Sequence, residues 1–477
     1  MVVFMVDDLE CRILNILLEN DAMPNLKRYI IDEGLEFTDS FVSDPLCCPS
    51  RATFLTGQYS HNNNVWNNNA PLGSVVNLDE SSTVATWLQA AGYRTAIVGK
   101  YLNGYGDLTE RTYIPPGWDF WFVTAAGVYQ MYGYTVNANG TLVTYGDAEE
   151  DYQTDTYTDA AVDFVNGHFA SDDPDPFFLW AVPLPPHVEF PEDWSETLHG
   201  LSGWYELSIR PAPRHLGSFD LPMPHDPSFN EEDMSDKPGW LNFRPKLDAQ
   251  DLANVERQFN AMLASMLAVD DMIGAVVGAV EEHGALDSTV IMFTSDNGYL
   301  QGRHLIPGKT AAYEESIRVP LYIRVPWEEG VRVTDRVVLN NDLAPTIAAL
   351  AGVPPAHLVD GVSILPVIDD PEIENWRTRF LIEHKSSSNL PWEVPDYAAV
   401  RTLPKTLGED NLAFFQYYYQ GEPISEEFYD LDTDRYQIDS LHADTSPNRV
   451  HQRTKLKTYL EQLANCRGLE CQIAEFP

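Results

Sequence analysis

Basic residues are scarce in this chain. Its 477 residues hold 30 Lys and Arg against 72 Asp and Glu, a formal net charge of −42, and lysine is rarer than arginine. A field of that sign excludes nucleic acid and anionic membrane surfaces as general partners. It fits the solubility-tuned surface of a salt-exposed or extracellular protein. Cysteine is also rare, at five residues. Cys11 stands alone, Cys47 and Cys48 are adjacent, and Cys466 and Cys471 bracket a short glycine-containing loop that could be bridged. A bridge there favours an oxidising compartment. No run looks long or apolar enough to cross a bilayer, and no internal repeat or low-complexity tract occurs. No signal peptide is visible, because Met1 leads straight into a strand-like run; the expectation is an N-terminus trimmed to the mature domain or slightly inside it. Asn139-Gly140-Thr141 is a lone glycosylation triplet. With 44% hydrophobic and 12% aromatic residues, the chain can bury a large core. That argues against disorder and leaves room for one large domain plus a smaller one.

What is present centres on Cys47-Cys48-Pro49-Ser50-Arg51-Ala52-Thr53-Phe54-Leu55-Thr56-Gly57. Pro49 suits the first turn of a helix, where its missing N–H costs nothing, and Gly57 is a natural stop. Arg51 offers a planar fork of donors for an oxyanion. A thiol at a helix N-terminus beside an arginine is in an environment that activates thiols and binds anions. On these residues alone, that reading and a buried thiol beside an ordinary helix weigh equally.

Several predicted strands end in chemistry-bearing residues. Residues 2–6 form a continuous apolar run, as expected for a central strand covered on both faces, and end in Asp7-Asp8. Adjacent carboxylates repel, and a divalent cation relieves that; a solvated strand end is the plainer reading. A helix over 83–92 and a strand over 93–98 deliver Gly99-Lys100. A strand over 176–182 ends at Pro183-Leu184-Pro185-Pro186-His187, and a histidine on a rigid proline segment can act as acid or base. A strand over 289–294 ends in Ser295-Asp296-Asn297-Gly298, with oxygen donors for a hard cation or simply a turn. Asp7, Asp8, Asp296 and Asn297 can meet only if their strands share a sheet. Helical spacing over 251–281 reads as a core helix. Residues 188–250 read as a long irregular insertion. From about residue 369 acidic and proline content rises. Strands over 380–384, 397–401 and 414–419 then suggest a small antiparallel sheet, followed by a turn at 427–431 and a closing helix at 456–460.

Cys-x-Pro-Ser-Arg followed by Leu-Thr-Gly resembles the signature of the type I sulfatases of the alkaline phosphatase superfamily. Gly99-Lys100-Tyr101-Leu102-Asn103 resembles their second signature, in the version of N-acetylglucosamine 6-sulfatase-like members. Gly302-Arg303-His304, Gly308-Lys309 and Tyr313-Glu314-Glu315-Ser316-Ile317-Arg318-Val319-Pro320 resemble a third. Three departures stand out: Leu9 for a usual glutamine, Leu102 for a histidine two residues after the lysine, and Arg303 for a glutamate. The loss at Leu102 leaves one proton-transfer role unassigned.

The resemblance implies an α/β fold: a large mixed β-sheet sandwiched by helices over 1–368, and a smaller antiparallel sheet and helix over 369–477. It implies sulfate-ester hydrolysis, of a sulfated sugar or an aryl sulfate, with formylglycine made from Cys47 by a formylglycine-generating enzyme. Asp7, Asp8, Asp296, Asn297 and position 47 would hold one Ca2+. Arg51 and Lys100 would hold position 47 and the sulfate, and His187 or Lys309 would protonate the leaving alcohol. The stretch 227–240, similar to one common in glycan-type sulfatases, would line the substrate pocket; His61 would order its loop, and His304 is a weaker catalytic candidate. Calcium, Arg51, Lys100 and Lys309 together would let a −42 chain accept an anion. An extracellular or periplasmic location follows, with no membrane span and no nucleic acid. The rivals are a phosphonate or phosphodiester hydrolase of the same superfamily, and a non-catalytic calcium-stabilised binding protein.

Overall fold

Ten strands form one sheet in the order β11-β2-β10-β9-β1-β8-β4-β5-β6-β7. In chain order these are β1 (Val2–Val6), β2 (Leu35–Phe37), β4 (Arg94–Gly99), β5 (Phe120–Ala126), β6 (Thr135–Ala138), β7 (Thr141–Thr144), β8 (Phe177–Val182), β9 (Ile291–Ser295), β10 (Leu321–Arg324) and β11 (Arg332–Thr334). The computed structural model describes residues 1–171, 175–191, 196–387, 393–404 and 409–477, with the side chains of 196–199 outside the description. Parts of the 104–175 and 188–250 regions and of the C-terminal unit therefore lie outside the described residues. Five adjacent strands, β9, β1, β8, β4 and β5, run parallel, and antiparallel strands flank them on both sides.

The parallel strands are apolar because both faces are covered. Val2, Phe4 and Val6 join one core with the helices Cys11–Glu19, Gln153–Phe169 and Ala249–Glu282. Val3 and Met5 join a second core with the helices Cys47–Thr56, Val84–Ala90 and Leu343–Leu350. A period of two thus sends alternate residues of one strand to opposite helical layers.

The helix Ala249–Glu282 corrects one expectation. Its 34 residues contain an 18-residue window of mean hydropathy 1.7, so length and composition alone would let it cross a membrane. The fold uses it as a core helix, with 72% of that window buried.

A two-stranded pair, β3 (Ser40–Phe41) with β12 (Val338–Leu339), lies beside the main sheet order. The C-terminal sheet is a meander of β13 (Arg379–His384), β14 (Asp396–Thr402), β15 (Leu412–Tyr419) and β16 (Glu422–Asp430). The expected turn at 427–431 falls largely within β16. A carboxylate-rich stretch reads as a turn, but Glu427 is buried and accepts hydrogen bonds from Tyr313 and Tyr417 at 2.7 Å each and from Tyr429. The helix Pro447–Leu463 packs Leu456, Leu460 and Leu463 inward. Cys466 and Cys471 form a disulfide. Asn139 of the glycosylation triplet is exposed at the turn between β6 and β7.

One buried ion network ties the two sheets' surroundings together. Arg377 bonds both carboxylate oxygens of Asp342, at the start of the helix Leu343–Leu350, and Glu475, in the helix Leu469–Glu475, at 2.8 Å from its Nε. Tyr59 donates to the other oxygen of Glu475. Arg377→Met is expected to strand two buried carboxylates and to cost about 3–5 kcal/mol. Urea unfolding followed by far-UV circular dichroism would measure it, and a loss under about 1 kcal/mol would refute this role for the network.

Candidate active site

Parallel strands gather functional groups at their carboxyl ends. β1 and β9 pair in register from Val2↔Ile291 to Val6↔Ser295, so Asp7-Asp8 and Asp296-Asn297 leave the sheet side by side. β8 and β4 pair through Gly99↔Val182, which brings Lys100 beside the segment leading to His187. Gly99 has φ +123°, and a Cβ there would sit 2.1 Å from the Val182 carbonyl oxygen. Only glycine allows that approach. Asp8 itself takes φ +69°, a left-handed conformation uncommon for a residue with a side chain. It turns the second carboxylate back toward β9, where the Asp8 N–H donates to Asp296 Oδ1 at 3.3 Å and Asn297 Nδ2 donates to Asp8 Oδ1 at 2.6 Å.

The helix Cys47–Thr56 aims its N-terminus into the same place. Cys47 is its first residue, and Gly57, at φ +69°, ends it. The Cys48 N–H, unpaired within the helix, is capped by Asn68 Oδ1 at 2.9 Å. Arg51, one turn further in, locks the helix to three strands. Its Nε donates to Asp296 Oδ2 at 2.7 Å, its second guanidinium nitrogen lies 3.3 Å from Asp7 Oδ2, and its third donates to the Lys100 carbonyl at 2.7 Å.

Lys100 Nζ donates to Asp7, and Lys309 Nζ donates to Asp8 and lies 2.8 Å from Cys47 Sγ. Cys47 Sγ in turn lies 3.4 Å from Asp7 Oδ1. His187 follows a cis Pro185-Pro186 bond. Its Nδ1 donates to the Val188 carbonyl at 2.6 Å, which turns Nε2 toward Asp8 Oδ2 at 3.6 Å. All the residues expected at the site therefore converge.

Burial alone would raise the Asp7 carboxyl, but Lys100, His187, Arg51 and Lys309 hold it well below its usual range. Burial and the neighbouring Asp7 charge raise Asp296 to about 6. Burial drives His187 down to about 4. Cys47 departs from the reading of an activated thiol: burial, reinforced by Asp7, pushes it up to about 12 against the pull of Lys100 and Lys309. The helix N-terminus and the cations are there, but the thiol is fully buried and faces a carboxylate.

A hard cation fits these residues. Ligand atoms of Asp7, Asp8, Cys47 and His187 all lie within 4.8 Å of one another. Asn297 Oδ1 is buried with no hydrogen-bond partner. Carboxylate and amide oxygens in this density suit Ca2+.

The centre opens into a cavity of about 440 Å³, a size that holds a small molecule. Asp8, His187 and Lys309 form its floor, and Asn67, Tyr129, Trp204 and His384 contribute walls. None of those four wall residues belongs to a motif. A cluster of adjacent asparagines after the core motif was a visible signal; Tyr129 and Trp204 carried none. From the 188–250 insertion the cavity takes Val188, Phe190, Leu201, Trp204 and Arg244, not 227–240 as expected. That stretch packs away from the centre: Glu231 accepts from His304 Nδ1 at 2.7 Å, and Lys237 donates to Tyr429 at 2.9 Å. His304 is thus outside the centre. His61 orders its loop, bonding Glu383 at 2.9 Å and the Cys466 carbonyl at 2.9 Å.

Comparison with known proteins gives a consistent picture. The family described as Sulfatase matches residues 1–353, and that described as N-sulphoglucosamine sulphohydrolase, C-terminal, matches 302–465. An extracellular sulfatase homologue of Caenorhabditis elegans is 33% identical over 383 residues, 78% of this chain and 51% of the relative. The chain thus spans about half the length of that protein. N-acetylglucosamine-6-sulfatase of Homo sapiens is 29% identical over 484 residues, covering 94% of this chain and 81% of the relative. A structure solved with its substrate D-glucosamine-2-N,6-O-disulfate superposes with a TM-score of 0.77 at 22% identity, covering 97% of this chain and 96% of the other. At that identity the likeness is one of fold.

If the oxygen cluster holds calcium, millimolar Ca2+ is expected to raise the melting temperature and a chelator to reverse it, since a ligand at 100 times its Kd adds about 2.7 kcal/mol. Asp8→Ala is expected to abolish the shift. Differential scanning fluorimetry reads both, and an identical response in wild type and variant would sink the assignment.

Proposed function

This chain belongs to the sulfatase family, and from that premise we propose that it hydrolyses the sulfate ester of a sugar. The supporting observation is the environment of position 47: a helix N-terminus at which Lys309 touches the side chain, with Lys100 and Arg51 bound to the carboxylates beside it. Three cations held within a −42 chain make a local anion site. The 440 Å³ cavity beyond them leaves room for one or two sugar rings.

The nucleophile in this reading is formylglycine, made from Cys47 by a formylglycine-generating enzyme. Hydrated formylglycine would supply a geminal diol: one hydroxyl, losing its proton, would attack sulfur as the alcohol leaves with a proton, and the second, losing its proton, would break the C–O bond to sulfate and restore the aldehyde. Asp7, Asp8, Asp296, Asn297 and position 47 would hold a calcium ion, which would supply positive charge for the sulfate oxygens. Lys100 and Lys309 bind the sulfate from two sides, with no reorganisation as charge develops. Arg51 fixes the helix end against Asp7 and Asp296. Lys309 and His187 both face the cavity; Lys309 keeps its proton and is positioned to hand it to the departing alcohol, whereas His187, neutral with its hydrogen on Nδ1, would first have to take a proton on Nε2. Since Cys47 is 0% exposed, its conversion belongs before folding. The disulfide and the acidic surface support an extracellular or periplasmic setting, and the change of architecture supports units of 1–368 and 369–477.

Peptide mass spectrometry of protein co-expressed with a formylglycine-generating enzyme is expected to show the thiol-to-aldehyde mass loss at Cys47. That protein is expected to release sulfate from N-acetylglucosamine 6-sulfate, and Cys47→Ala to release none. Faster turnover of a phosphodiester than of the sulfate ester would favour the phosphohydrolase reading. An unmodified Cys47 with no turnover would favour a calcium-stabilised binding protein.

The net charge makes a separate prediction. Repulsion of an anionic substrate is screened as the Debye length falls from about 30 Å at 0.01 M salt to about 10 Å at 0.1 M. kcat/KM is therefore expected to rise over that range. A fall would mean that the local cations, not the global field, govern encounter.

A further inference from the structure

Leu102 is 3% exposed and packs in the apolar core beneath the sheet. The next residue, Asn103, lines the cavity, as does Tyr129 from the loop after β5. Asn103 Nδ2 donates to the Tyr129 hydroxyl at 2.6 Å.

Three further contacts fix the Tyr129 ring. Lys100 Nζ lies 4.6 Å from its centroid. The His187 ring stacks on it at 4.7 Å with a 25° interplanar angle, and Phe190 meets it edge-on at 4.9 Å. The phenol thus sits between the two groups expected to bind sulfate and move its proton. An amide N–H only donates, so it occupies a lone pair of the phenol oxygen and leaves the phenol's own hydrogen to point elsewhere. Among the described residues the phenol donates no hydrogen bond within the protein. Burial pushes the phenol up to about 12, so it keeps its proton at neutral pH.

We propose that Tyr129 is a further substrate-binding residue, whose O–H, oriented by Asn103, donates a hydrogen bond to an oxygen of the sulfate group. This rests on the sulfatase reading and adds a neutral donor to a site otherwise built of cations. No bond is made or broken at Tyr129. Its ring contacts both His187 and Lys100, so ring and hydroxyl have separable roles.

Tyr129→Phe removes the hydroxyl and keeps the ring. In the mature protein with position 47 converted, the variant is expected to lose roughly 10- to 100-fold in kcat/KM for 4-nitrophenyl sulfate, the range for a hydrogen bond to a charged group. It is also expected to weaken inhibition by inorganic sulfate about tenfold or more, with the melting temperature lowered by no more than a few degrees for the lost Asn103 bond. Changes within twofold in both readouts would overturn the proposal while leaving the wild-type sulfatase activity standing. If converted wild type turns over no sulfate ester, the functional reading fails on its own, and titration calorimetry with inorganic sulfate still decides the role of Tyr129. Weaker sulfate binding by Tyr129→Phe supports it. Equal binding by the two proteins, or none by either, overturns it.

Discussion

The structure depends on burying carboxylates and cations together at one spot. Asp7, Asp8 and Asp296 are inaccessible to water, as are Arg51 and Lys100. An isolated charge in such a place would cost several kcal/mol. Each is tolerated because the others are present, and no member can be moved without stranding a neighbour. Arg51 shows the linkage best. One guanidinium reaches β1 through Asp7, β9 through Asp296 and the end of β4 through the Lys100 carbonyl. The helix carrying position 47 is thereby referenced to three strands at once. The left-handed Asp8 and the glycine-only approach at Gly99 are local costs of assembling the same cluster.

That arrangement reconciles an acidic protein with an anionic ligand. Beyond a Debye length the −42 field is largely screened in moderate salt. At the cavity floor Lys100, Lys309 and Arg51 are balanced by Asp7, Asp8 and Asp296, so a divalent cation on those carboxylates would be what turns the spot net positive for an anion. The walls themselves are largely aromatic and carboxamide groups, Tyr129, Trp204 and Asn67 among them. Such surfaces suit a ligand with an apolar ring face and several hydroxyls.

How much of this was legible in the sequence follows from the range over which each signal acts. Strands β1, β4, β8 and β9 were legible because each is a short apolar run, and their polar ends were legible because the motifs are contiguous. The meeting of Asp7-Asp8 with Asp296-Asn297 needed only that β1 and β9 share a sheet, and they pair directly. The misread parts depend on partners distant in sequence. β16 looked like a turn because its acidic residues are satisfied by tyrosines from elsewhere in the chain, Tyr313 and Tyr417. The stretch 227–240 looked like a pocket wall, yet its charged residues answer to His304 and Tyr429. The helix Ala249–Glu282 was legible as a core helix from its spacing, and its apolar stretch passes for a membrane span only because most of it is packed inside the fold. Tyr129 had no signal at all: its role comes from where a loop crosses, which no local pattern encodes.

The two ends of the cavity therefore have different origins. Its floor is made by strand ends of the large parallel sheet, where register and buried charge allow little variation. Its far wall draws Trp204 from the helix Glu196–Glu206 and His384 from the last residue of β13 in the small sheet. Those side chains answer to loop length and to how the C-terminal sheet sits against the floor. Loops tolerate change better than the elements they connect. If the cavity takes the sugar sulfate proposed above, a substitution at the far wall would alter which sugar fits without disturbing the charged cluster, whereas a substitution in the floor would disturb both. Chemistry and selectivity are thus separable in this fold, and the sequence motifs report only the first.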